Sequence, residues 1–368
     1  MDNADAGAGA TLIFPAVDQS ALDYLTAAQH RGEKTICAAS VKSDLIASNG
    51  ADLLHLPSIY AEDFIDCFMA LVQSRPVRRL YSPVSSVYDF MQRFINTHRL
   101  NIEMVGQSPI RQQVQQHRQL MGRASRLLSF VGLCAAGLPH LSLIEVAGVL
   151  RQVSLIYGES NDDKLAAIMG IAPTVVAGDV IEIGSLMGRS AFVLSYLAMK
   201  YNIGPLLTVD PWGRDQAIQT DSTQSFQALV DDWDFSVLSE GFYVNMVPFN
   251  RGQHAHLQLP SIDGFKEYAK QHSFSSPSAE PVNFSGRISL IHIDGNHDFA
   301  RVQEDCVHWL TLLTPGAWLI LDDYIWAHGD GPYRIGNQLL IDRAEDIALS
   351  FVCGKALFIQ FNNSVDAK

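Results

Sequence analysis

The chain has no block of basic residues: 26 Lys and Arg stand against 39 Asp and Glu, a formal net charge of -13. Phosphate backbones and anionic membrane surfaces are met with clustered cations, so neither nucleic acid nor membrane is expected as a partner. Cysteine is scarce. The five thiols, Cys37, Cys67, Cys134, Cys306 and Cys353, are odd in number and unclustered, which excludes a disulfide frame or a cysteine zinc site. They read as buried thiols of a reducing cytoplasm. Long hydrophobic runs are also missing. The most apolar stretch, Leu127 to Leu138, is too short to span a bilayer, and MDNADAGAGATLIF lacks the charged and apolar regions of a secretion signal. Repeats and low-complexity tracts are absent.

What is present is enough apolar material for more than one core. At 368 residues and 48% hydrophobic content, about two domains are expected. The runs TLIFPA, KTICAAS, DLLHLPS, RRLYSPV and IEMVGQS alternate with helical stretches such as AEDFIDCFMALVQSR, so residues 1–110 read as a small α/β domain with a parallel sheet and no phosphate loop. Residues 111–169 read as a mostly helical connector, broken at Gly137-Leu138-Pro139. This connector and the N-terminal sheet are expected to cover the substrate side or to build a homo-oligomer interface. Residues 170–368 carry a second α/β pattern, interrupted by the Ser- and Pro-rich HSFSSPSAEPVNFS from His272 to Ser285, read as a mobile insertion.

Two segments of this last part carry chemistry. GRISLIHIDGNHDFARVQEDCVHWLTLLTPGAWLILDDY reads as a strand, a helix from Phe299 to Leu313, a Pro315-Gly316 turn and a second strand. Open parallel sheets bind ligands at the carboxyl ends of their strands. Asp294, His297, Asp322 and Asp323 fall there and form a candidate metal and proton-transfer site. Consecutive strand residues point to opposite faces, so Asp322 and Asp323 reach one ion only if the chain turns between them. His292 shares a face with Asp294 but lies deeper, as a hydrogen-bonded core histidine would.

The second segment, VVAGDVIEIGSLMGRSAFVLSYLAMKYNIGPLLTVDPWG, runs from a strand at Val180 to Ile183 through a tight turn into a helix near Arg189. Gly184, Ser185 and Gly188 permit close approach of the backbone to a nucleotide-like cofactor. Asp210, at the next strand end, is placed to accept both hydroxyls of a ribose. The plainer readings are a strand-to-helix connection common to α/β proteins and an Asp-Pro turn. The loop has no G-x-G, which weakens a nicotinamide reading.

These segments together, EIGSLMGRS, TVDPW, HIDGNHDFARVQED and LTPGAWLILDDY, resemble the class I S-adenosylmethionine-dependent methyltransferases, within them the metal-dependent branch of macrocin and mycinamicin sugar O-methyltransferases. The resemblance covers roughly Tyr157 to Phe361. It implies a Rossmann-like doubly wound sheet. Glu182, Gly184, Ser185, Gly188, Ser190, Asp210 and Trp212 would bind S-adenosylmethionine. Asp294, Asp322 and Asp323 would carry Mg2+ or another divalent cation, and His297 would act as base on a hydroxylated small molecule. Some relatives have Glu where Asp322 stands. Tyr324, His328, Tyr333 and Arg334, in or beside a glycine-rich loop, are expected at the acceptor. Tyr157, Glu159 and Lys164 are expected to close over the cofactor. A related cofactor-dependent reaction, or a non-catalytic nucleotide-sensing or scaffold protein, is the alternative.

Overall fold

A computed structural model describes residues 9–221, 223–276 and 280–363. The chain divides into two compact units, Met1–Gln119 and Leu120–Lys368.

In the first unit all five apolar runs are strands: β1 (Ala10–Ile13), β2 (Thr35–Ala39), β3 (Leu53–His55), β4 (Val77–Tyr81) and β5 (Glu103–Met104). They lie in the order β3-β2-β1-β4-β5, every pair parallel. The helix Ser85–Thr97 shows why the layers hold. Val87, Tyr88, Met91, Phe94 and Ile95 recur every three or four residues, so one stripe is buried, and it shares a core with Leu12 and Leu80 of the sheet.

The second unit is built on β6 (Asp179–Ile183), β7 (Leu206–Val209), β8 (His254–Leu257), β11 (Ile288–Ile293), β12 (Leu313–Leu321), β13 (Ile347–Cys353) and β14 (Ala356–Phe361), with a small antiparallel ribbon of β9 (Ser273–Phe274) and β10 (Val282–Asn283). The sheet order is β13-β14-β12-β11-β6-β7-β8, parallel except where β14 runs against both neighbours. This is a doubly wound sheet whose strand order reverses between β6 and β11. The ribbon occupies the expected insertion at His272 to Ser285, of which 277–279 lie outside the described residues.

Strand alternation sorts the core into two layers. Val180, Leu206, Leu290, Trp318 and Ile320 face one side, packed with residues of the helices Pro109–Cys134, Leu143–Val153, Asp162–Ile171 and Arg189–Lys200. Ile181, Leu207, Ile291, Leu319 and Ile359 face the other, with Tyr268, Val302 and Trp309. The helical residues past Leu120 are thus one layer of the second unit. Pro315-Gly316 lies inside β12, where Gly316 takes φ +80, and not in a turn ahead of it. Cys37 and Cys306 are buried, but Cys67, Cys134 and Cys353 are only half-buried, and all five are free. Among the described residues no helix is long and apolar enough to cross a membrane.

Candidate active site

Register places the site. Val209 pairs with Ile183, Ile183 with Ile293, and Ile293 with Leu321. The next residue of each strand therefore falls on one row at the carboxyl edge: Asp210, Gly184, Asp294 and Asp322. The row spans the switch point, where a crevice is expected. A cavity of about 610 Å³ opens there, a size suited to a nucleotide-like ligand.

One wall is the glycine loop. Gly184 has φ +79, and a Cβ on it would meet the Asp294 carbonyl oxygen at 2.1 Å, so no side chain fits. The Asp210 carboxylate fixes the loop: Oδ2 accepts the amides of Ser185 (2.8 Å) and Leu186 (3.0 Å), and Oδ1 that of Trp212 (2.8 Å). Burial raises the Asp210 pKa, opposed by those three amides. Trp212, at φ +42, donates its indole N–H to Leu186 O at 2.9 Å and closes the loop from outside. Gly184, Ser185, Ser190, Asp210 and Trp212 line the cavity, as do Tyr157 and Glu159.

Two expected cofactor residues do not. Gly188 takes φ +89 as the N-cap of the helix Arg189–Lys200 and shapes the turn behind the wall. Glu182 is fully buried one strand step below the row, where Oε1 lies 3.0 Å from His292 Nδ1. Alternation sends both side chains into the helical layer, so Glu182 binds the core histidine and not the cofactor.

Behind Trp212, His256 lies 4.4 Å from its ring, and His254 and His256 share the Thr208 hydroxyl at 2.9 and 2.8 Å. Burial lowers their pKa values to about 4 and about 3. Both are held neutral in the fold but titrate near 6.5 once unfolded, so the unfolded chain binds more protons below that pH. Stability is complete above about 6.5 and is lost as pH falls toward 4. Urea unfolding should show this loss, and a His254→Gln, His256→Gln variant should lose less between pH 7 and 4.5; an unchanged pH slope would refute the assignment.

The opposite wall comes from the loop after β11. Asn296 donates to Gln216 O (2.9 Å) and Ile218 O (2.8 Å), while Asp298 accepts the amides of Thr220 (2.7 Å) and Asp221 (2.8 Å). These flanking anchors hold His297 between the carboxylates. Its Nε2 is 3.7 Å from Asp294 Oδ1 and its Nδ1 is 3.5 Å from Asp323 Oδ2. The edge of Trp326 closes on the ring at 5.0 Å. Asp323 reaches His297 because it takes φ +48, the turn that adjacent aspartates require to share a site.

Two lysines join the carboxylates: Lys164, expected over the cofactor, and Lys355, which the sequence did not single out. Lys164 sits in the first turn of the helix Asp162–Ile171, its amide capped by Asn161 at 2.9 Å, and its side chain is 1% exposed. Its ammonium pairs with Asp294 Oδ2 (3.2 Å) and with Asp322 Oδ2. Lys355, in the turn between β13 and β14, lies 2.8 Å from Asp323 Oδ1. Burial would raise the Asp294 pKa, but Lys164, His297 and His292 hold it well below the usual carboxylate range. Lys164 therefore lies beneath the cavity floor and does not close over it. Its signal was a cation opening the otherwise apolar run LAAIMGI.

Of the divalent cations expected, Mg2+ is the one this arrangement does not fit. Among the described residues, the groups that could hold an ion are His292, Asp294 and Asp322, or Asp294, His297 and Asp323. Each includes an imidazole, whereas magnesium demands oxygen in near-octahedral geometry. Lys164 already holds the carboxylates of the first set, and Lys355 faces Asp323 in the second.

The acceptor residues expected after Asp323 fall outside the cavity. Tyr324 is buried against Asn337 (3.2 Å), His328 meets the Thr223 hydroxyl (2.9 Å), Tyr333 is 52% exposed, and Arg334 lies over the Phe299 ring at 4.0 Å. The left-handed turn at Asp323 redirects the chain, and Tyr333 and Arg334 lie on the helix Gly331–Asp342. Gln219, Trp233, Phe235, Leu238 and Trp326 line it instead.

Farther along the wall, Ser261 donates to the buried Asp305, whose pKa burial raises to about 7. An unfolded aspartate titrates near 3.9, so the fold binds the extra proton between about pH 4 and 7, and stability from it is lost as pH rises through that window. Asp305→Asn should therefore gain more in Tm relative to wild type at pH 8 than at pH 5. An equal gain at both values would refute the shift.

The strand order and the glycine loop at its reversal define a Rossmann-like doubly wound fold. The profile of a family described as methyltransferase domain matches residues 181–324, which span both walls of the cavity. Among curated proteins none matches the chain. Among solved structures, the O-methyltransferase NovP is 15% identical with a TM-score of 0.36, the match covering 61% of this chain and 84% of that one. An O-methyltransferase from Bacillus cereus in complex with SAH is 15% identical at a TM-score of 0.32, covering 66% and 90%. MycE methyltransferase from the mycinamycin pathway, in complex with Mg, SAH and mycinamycin VI, is 13% identical at 0.32, covering 52% and 47%. Likenesses this distant leave the reaction to be argued from the site.

Proposed function

We propose that the second unit transfers a methyl group from S-adenosylmethionine to a hydroxyl of a small molecule, a sugar-containing, polyketide or phenolic natural product. The observation that carries this reading is His297, held between two carboxylates across a cavity from a glycine loop whose amides are pinned by Asp210. S-adenosylmethionine supplies an electrophilic sulfonium methyl. What remains for the protein is to align the acceptor and to remove the proton of an alcohol that does not ionise near neutral pH.

The residues divide that work. Gly184 and Ser185 bring backbone against the ligand, and Asp210 has lone pairs left for ribose hydroxyls after accepting three amides. His297 Nδ1 faces the Asp323 carboxylate and the Gln219 side-chain amide, both at 3.5 Å. That leaves Nε2, which has no hydrogen-bond partner, to take the acceptor proton. The imidazolium formed then lies between Asp294 and Asp323, which stabilise its charge. Trp326 and Trp233 narrow the cavity around the acceptor.

Calorimetry of the full chain with S-adenosylmethionine and S-adenosylhomocysteine tests the reading, followed by methyl-transfer assays on polyols and catechols. Failure to bind either cofactor form would remove it. Binding without transfer to any acceptor would point to a nucleotide sensor.

A further inference from the structure

We infer that Lys164 is a built-in cation that takes the place of a divalent metal in this site. The inference concerns the acidic cluster of the proposed methyltransferase site, and its test is independent of methyl transfer.

The placement is constructed from several elements. Asn161 caps the helix Asp162–Ile171 so that its first turn points into the sheet edge, and every residue from Lys164 to Ile171 is buried. Gly354, at φ +55, lets the β13–β14 turn pass against the start of that helix; a Cβ there would lie 2.3 Å from the Lys164 amide nitrogen. A lysine enclosed in this way keeps its charge only beside carboxylates, and its ammonium is aimed between Asp294 and Asp322. Those two residues are neighbours on the carboxyl-edge row. Asp294 and Asp322 would be among the carboxylates to hold a divalent ion, and the Lys164 ammonium already pairs with both.

Charge accounting agrees. Asp294, Asp322 and Asp323 bring three negative charges, and Lys164 and Lys355 return two. The remaining negative charge faces His297 from both sides. Lys164 is a positioning residue: it sets the carboxylates against His297 and touches neither cofactor nor acceptor.

The test uses the full-length protein, first stripped with a chelator and titrated with Mn2+ under electron paramagnetic resonance. Wild type is expected to take up no Mn2+ at micromolar concentrations and to bind S-adenosylhomocysteine equally well with and without chelator. Lys164→Met should gain one Mn2+ site at least tenfold tighter than any in wild type, while Lys164→Arg, which keeps the charge, should gain none. Stoichiometric micromolar Mn2+ uptake by wild type overturns the inference, and so does a folded Lys164→Met with no gain. Where Lys164→Met does not fold, the wild-type titration decides alone. A protein that binds neither Mn2+ nor S-adenosylhomocysteine sinks the proposed function and leaves the lysine assignment standing.

Discussion

Replacing His297 with alanine is expected to leave S-adenosylhomocysteine affinity within about twofold of wild type while turnover falls about a hundredfold or more, the usual contribution of a positioned general base. Affinity is spared because the cofactor contacts lie on the glycine loop, pinned by Asp210, and Asn296 and Asp298 hold the His297 loop without help from the imidazole. Turnover is not spared because, among the described residues, no other group near the cavity combines a free lone pair with flanking carboxylates. Glu182 and His292 are sealed below the floor, and Asp294 and Asp323 are engaged by lysines. Isothermal calorimetry paired with a methyl-transfer assay separates the two effects. Equal losses in both would make His297 a structural residue of the cavity.

Asp210→Ala should produce the converse result: cofactor affinity falls about a hundredfold or more, because three buried backbone amides lose a charged acceptor. Each such hydrogen bond contributes roughly 1.5 to 3 kcal/mol, and the loop geometry depends on all three together. Leu186 and Trp212 hold positive φ angles that only a fixed loop maintains. The expected signature is weak binding of S-adenosylhomocysteine in a chain whose circular dichroism is unchanged. Binding as tight as wild type would show that the loop holds its shape without the carboxylate.

How much of this could be read from residues alone depended on the distance over which the physics acts. The row of Asp210, Gly184, Asp294 and Asp322 was legible because each ends a strand of apolar residues, and parallel register then aligns them with no further information. His292 was legible as a core histidine from strand alternation. Glu182 was misread although the same alternation applied to it, because its nearness to the glycines outweighed the face it occupies. Lys164 was read as closing over the cofactor, and its true partners stayed hidden for a different reason: Asp294 and Asp322 are 130 and 158 residues away, and only the folded helical layer brings them together. Tyr324, His328, Tyr333 and Arg334 followed the site in sequence, yet of this segment it is Trp326 that lines the cavity, since the left-handed turn at Asp323 redirects the chain.

The distribution of tryptophan carries a practical consequence. Of the five indoles, Trp212, Trp233 and Trp326 line the cavity, while Trp309 and Trp318 are shielded in the core. The molecule thus contains its own optical reporter. Emission from the cavity group should be quenched when an adenine-bearing compound enters, against a constant background from the interior pair, so occupancy can be followed without attaching a dye.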